Sequence, residues 1–113
     1  MSYTVVWAPE AHDQLIELTS HIATAASEEI AGRYIGSVVR YCDSLKTFPH
    51  RGNKRDGIRP GMRITHYRGK TIIGFSVDNT AHTVSILGIF HGGQDYETAL
   101  HQSVISASNH LSP

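Results

Sequence analysis

Residues 57–100 read GIRPGMRITHYRGKTIIGFSVDNTAHTVSILGIFHGGQDYETAL, and this stretch decides the fold. Three runs rich in Ile, Val, Thr, Phe and Tyr (Met62–Tyr67, Lys70–Asp78 and His82–Phe90) are separated by Arg68-Gly69 and Asn79-Thr80. β-Branched and aromatic residues suit a pleated, half-buried surface, and Gly, Asn and Asp suit tight turns. The pattern predicts an antiparallel meander of three strands. In the second run Thr71, Ile73, Phe75 and Val77 alternate onto one face. The third is almost continuous (Val84, Ile86, Leu87, Ile89, Phe90), as expected of a central strand beneath a helical layer. A corner, His91-Gly92-Gly93-Gln94-Asp95, follows it.

Everything upstream reads as the cover of this sheet. Tyr3–Trp7 predicts a short strand that joins it. Pro9 and Glu10 suit the first turn of a helix, where Pro loses no hydrogen bond and an acid meets the positive dipole end. Ala11, Leu15, Leu18 and Ile22 then recur as one apolar stripe, fading near Ala26. Ser27 is an N-cap for a second helix that opens with Glu28 and Glu29. Its stripe is Ala31, Ile35, Val38, Cys42 and Leu45, widened by Tyr34 and Tyr41. Gly32 and Gly36, four apart, fit either a close helix–helix approach or tolerated glycines. The short connection predicts an antiparallel helical hairpin, ended by Phe48-Pro49-His50. Arg51–Gly61 is a basic loop, and Asp95 to about Ser108 predicts a weak last helix faced by Leu100, Val104 and Ile105. Residues 109–113 read as a frayed end.

The expected fold is therefore α+β: a strand and helical hairpin packed on a small antiparallel meander, with a short C-terminal helix or tail. The 113 residues suit a single domain spanning 1–113. No apolar run approaches a membrane span, no basic-then-apolar leader opens the chain, and the one cysteine, Cys42, falls on a buried stripe. A cytoplasmic protein without membrane association is expected. HExxH, GxxxxGK[ST], GxSxG and dinucleotide fingerprints are all missing, so neither a metal nor a cofactor is expected. Net charge is zero, yet Lys46 to Lys70 holds eight basic residues against Asp56 alone, +7 balanced by −7 elsewhere. Such a split draws an anionic partner to one face.

In order and spacing, Trp7-Ala8-Pro9-Glu10-Ala11 with Leu15 and Ile22, Phe48-Pro49, Gly57-Ile58-Arg59, the meander, and Ile89-Phe90-His91-Gly92 with Asp95 resemble the ParE branch of the ParE/RelE toxin superfamily. The resemblance spans roughly Tyr3 to Leu100. It implies a bacterial toxin of a type II toxin–antitoxin, plasmid-stabilising system, forming a hetero-oligomer with a cognate antitoxin whose acidic segment or helix wraps it. ParE-like members inhibit DNA gyrase; RelE-like members cleave messenger RNA on the ribosome. Fold alone does not choose between them.

Cleavage needs a base, an acid and cations around the scissile phosphate. The residues that could serve a metal-independent endoribonuclease are Arg63, His91 and Tyr96. Against that role, no Lys or Arg follows Lys70, and the corner before Asp95 lacks the arginines that ParE-like chains often carry there. That departure also leaves open an inactive ParE-like member. The favoured reading is a non-enzymatic, protein-binding toxin that does not bind nucleic acid directly. Its partner surface is Arg51, Lys54, Arg55, Arg59, Arg63, Arg68 and His91. Arg59, held extended before Pro60, points either to solvent or to Asp56 or Asp95 as an ion pair, the pair being the favoured reading, and His66 is expected to lie half-buried.

Overall fold

A computed structural model describes residues 2–101. In chain order they form β1 (Thr4–Trp7), α1 (Pro9–Ala25), α2 (Glu28–Asp43) and a 3-10 turn (Ser44–Lys46). Then come β2 (Asn53–Lys54), β3 (Met62–Tyr67), β4 (Thr71–Asp78) and β5 (Thr83–His91). Residues 96–101 are helical and are called α3. The rest of the last predicted helix, with Val104 and Ile105, and the end at 109–113 lie outside the described residues.

Five strands make one sheet in the order β1-β5-β4-β3-β2, with β1 parallel to β5 and the other pairs antiparallel. The predicted meander is its centre. The basic loop departs from expectation because Asn53 and Lys54 pair with Ile64 and Arg63 as a fifth, edge strand. Both edges of the meander are thus occupied, by β1 and β2. The turns also differ slightly: Lys70 belongs to the β3–β4 turn, and His82, at φ +53°, to the β4–β5 turn.

The helices form where capping and periodicity place them. Pro9 opens α1, and the Ser27 side chain accepts from the Ile30 N–H at 3.1 Å to open α2. Ala11 and Leu18 of α1 and Val38, Cys42 and Leu45 of the second stripe bury against Ile73, Phe75, Val84 and Ile86. Leu45 has already passed into the 3-10 turn, so α2 stops before Phe48-Pro49. Tyr34 and Tyr41 share hydrogen bonds with the hydroxyls of Thr71 and Thr65, the two buried polar residues of the sheet. Buried hydroxyls left without such partners would each cost about 1–3 kcal/mol.

A register shift explains the unbroken apolar run of β5. Gly74 pairs with Gly88 but Phe75 with Ile86, which leaves Leu87 as an extra residue. Beyond the bulge Ile89 joins the helical side while Phe90 joins a second apolar cluster with Met62, Ile64 and Leu100. The sheet is therefore covered on both faces at this end, by the hairpin on one and α3 on the other. The paired glycines form the seat of α3, since a Cβ at Gly74 would stand 2.9 Å from the Leu100 side chain.

Candidate partner-binding surface

The basic segment does not gather into one patch; neighbours in the fold engage much of it. Arg63 donates to the carbonyls of His50, Arg51 and Gly52 at 2.7–3.2 Å, gathering the loop around one guanidinium. That loop admits no side chain at Gly52, where φ is +76° and a Cβ would fall 2.2 Å from the Ile64 carbonyl oxygen. The Arg51 guanidinium lies 5.1 and 4.7 Å from the ring centres of Tyr41 and Phe48 and donates to the Ser44 hydroxyl. Arg55 pairs with Glu97 at 2.6 Å and donates to the Tyr96 hydroxyl at 3.1 Å, tying the loop to α3. Its pKa rises, first through the hydrogen bond to Glu97 and then through that to Tyr96.

Arg59 corrects an expectation: among the described residues it has no ion pair. The Asp56 side chain instead accepts from the Gly61 N–H at 3.0 Å, and Asp95 caps α3. The Thr98 hydroxyl and N–H both donate to Asp95, which holds its carboxyl below the usual range, with a smaller contribution from the Glu97 N–H. Lys54, Arg59 and Arg68 are exposed. His66, expected half-buried, is exposed too.

Arg63, His91 and Tyr96 do not converge. Arg63 pairs with Phe75 and His91 with Thr71 on opposite sides of β4. At ~3.3 Å per residue they stand about 13 Å apart along that strand. The His91 ring lies 4.5 Å from that of His21 on α1, beside a concavity of about 310 Å³ lined also by Glu17, Gln94 and Asp95. Among the described residues two carboxylates and no lysine or arginine line that hollow. Among the described residues no group of three or more His, Cys, Asp or Glu converges as a metal would need. No described helix is long and apolar enough to cross a membrane.

A second concavity, about 740 Å³ and open, lies along α2 and is lined by Arg33, Arg40 and Arg68 with Tyr34 and Ser37. Arg33 and Arg40 fall outside the basic segment, and sequence reading passed over them. Their signal was a spacing of seven along a helix, two turns on one face. His21 was likewise missed as the neighbour of His91, since nothing local ties α1 to the end of β5.

Residues 5–96 match the family model described as the ParE toxin of the type II toxin–antitoxin system parDE. The chain belongs to the ParE toxin family. The ParE match runs from within β1 to the start of α3 and so takes in every strand of the meander. Among solved structures, the chromosomal ParDE system of Pseudomonas aeruginosa aligns with a TM-score of 0.66 at 22% identity, over 80% of this chain and 96% of that one. The RelBE2 toxin–antitoxin complex of Mycobacterium tuberculosis aligns at 0.60 and 23% identity, over 81% and 100%. A mutant of the Escherichia coli toxin RelE in the free state aligns at 0.65 and 13% identity, over 93% and 99%. At such identities these likenesses establish the fold, which ParE and RelE share. A search of curated proteins finds no match.

Proposed function

We propose that this ParE-family toxin acts by binding proteins and not by cutting RNA. A cognate antitoxin holds it through an acidic segment, and the freed toxin inhibits DNA gyrase. The observation that carries this reading is the dispersal of Arg63, His91 and Tyr96. The first is spent on three loop carbonyls, the second lies against the His21 ring beside a hollow lined by Glu17 and Asp95, and the third is held by Arg55. A base, an acid and a phosphate-stabilising cation must meet at one phosphate to be useful. An antitoxin partner is supported by the family and by the ParDE and RelBE2 assemblies that share the fold.

The test puts purified toxin with gyrase and relaxed plasmid, and in parallel with ribosome-bound message. Lost supercoiling or trapped, cleaved plasmid with message intact is the expected result. The double variant His91→Ala with Tyr96→Phe should keep this activity within about twofold, as expected for residues with no part in chemistry. Cut message with supercoiling untouched would make the chain a nuclease. Failure of both would make it an inactive member of the family.

A further inference from the structure

Two glycines in the middle of α2 have no packing role. A Cβ on Gly32 would meet nothing, and one on Gly36 only the Arg40 guanidinium at 3.4 Å. They mark no close approach to α1. Their lack of side chains opens the cleft of about 740 Å³ between α2 and the β3–β4 turn. Arg33 and Arg40 enter it from α2, and Arg68 from the turn. Arg33 shares a 3.6 Å contact with Glu29, exposed on both sides and therefore weak. Among the described residues Arg40 and Arg68 have no acidic partner. The phenol of Tyr67 is held below its usual pKa, first by the Ser37 hydroxyl and, against the opposing effect of burial, by Arg68 and Arg40. Ile30, 47% exposed, gives the cleft an apolar wall.

We propose that this cleft seats an acidic, amphipathic segment of a protein partner, its carboxylates taken by Arg40 and Arg68 and an apolar side chain lying against Ile30 and Tyr34. The proposal rests on the reading of the chain as a captured toxin and names the surface that does the capturing. Guanidinium forks match carboxylates in bidentate geometry. A polynucleotide fits less well. Its phosphates repeat, whereas the cationic strip is three guanidiniums long and Glu28 and Glu29 precede it on α2.

The probe is a short fluorescein-labelled peptide of Glu with Leu at helical spacing, titrated with the full chain and followed by anisotropy. Amide shifts of the labelled chain give the footprint. Binding is expected with the largest shifts at Gly32, Gly36 and Arg68. Arg40→Gln with Arg68→Gln should weaken it by about tenfold or more, the loss of one charged hydrogen bond or more. Gly36→Leu keeps every charge but fills the cleft, and should weaken binding comparably. Arg59→Gln in the basic loop should leave it nearly unchanged. Loss in Arg59→Gln or Lys54→Gln, with the cleft variants normal, would overturn the cleft while leaving the captured-toxin reading intact. No binding of the peptide, or displacement by a charge-matched oligonucleotide that binds tighter, would also overturn it. The gyrase-directed reading of the free toxin fails separately, in the gyrase and message assays.

Discussion

Arg63 shows how one residue type can mislead about its role. On sequence alone it is a cation on a strand, available to a partner or a phosphate. In the fold its Nε and one Nη2 donate to three consecutive carbonyls, so it organises the loop that leads into β2. Arg63→Met should cost about 1–3 kcal/mol, on the order of a hydrogen bond to a charged group, and lower the thermal midpoint by several degrees. Arg59→Gln, exposed and without an ion pair among the described residues, should leave the midpoint unchanged in the same melt. Cys42 makes the complementary case. Burial pushes its thiol from about 9 up to about 12, because a thiolate loses its hydration there. Between these values the unfolded chain releases a proton that the folded chain keeps, so this contribution to stability is lost as pH rises from about 9. By linkage the loss approaches about 4 kcal/mol near pH 12. Denaturation curves of the native chain and Cys42→Ala between pH 7 and 11 isolate that slope. A thiol reagent at pH 8 should label Cys42 only after unfolding.

At the scale of elements, α3 depends on a feature of the sheet rather than on its own sequence. Leu100 sits where Gly74 and Gly88 face each other, and Asp95 and Arg55 fix its first turn. Gly74→Val should expel Leu100, raising amide exchange over 96–101 while α1 and α2 keep their protection. Unchanged exchange at α3 would refute this account of its docking. The helices and the meander were legible beforehand because period and turn chemistry are local: Thr71, Ile73, Phe75 and Val77 all bury on the helical side as their alternation requires. The bulge at Leu87, the strand at Asn53–Lys54 and the parallel placement of β1 were not. Each depends on hydrogen bonds to residues at least nine positions away, which no local pattern records.

Across the whole molecule, the +7 of residues 46–70 is real but divided. Arg51, Arg55 and Arg63 are engaged within the fold, Lys46 pairs with Asp43 at 2.9 Å, and Arg68 joins Arg33 and Arg40 at the cleft. Long-range steering responds to the summed field, and close contact to the few cations left free. The association rate of an acidic partner should therefore fall steeply as salt rises from about 0.05 to 0.5 M, with dissociation changing far less. Stopped-flow mixing at several salt concentrations measures both, and a salt-independent association rate would refute the steering.

The sequence by itself determined the α+β class, the helical hairpin and the meander, since apolar periods, caps and turns act over a few residues, and the order of its motifs carried the family resemblance. Only the tertiary structure decided which cations remain free. A guanidinium's role depends on which carbonyl, carboxylate or ring lies within about 3–6 Å of it, and those neighbours come from distant parts of the chain. The same reason separates Arg63, His91 and Tyr96 and brings Arg33, Arg40 and Arg68 to one cleft.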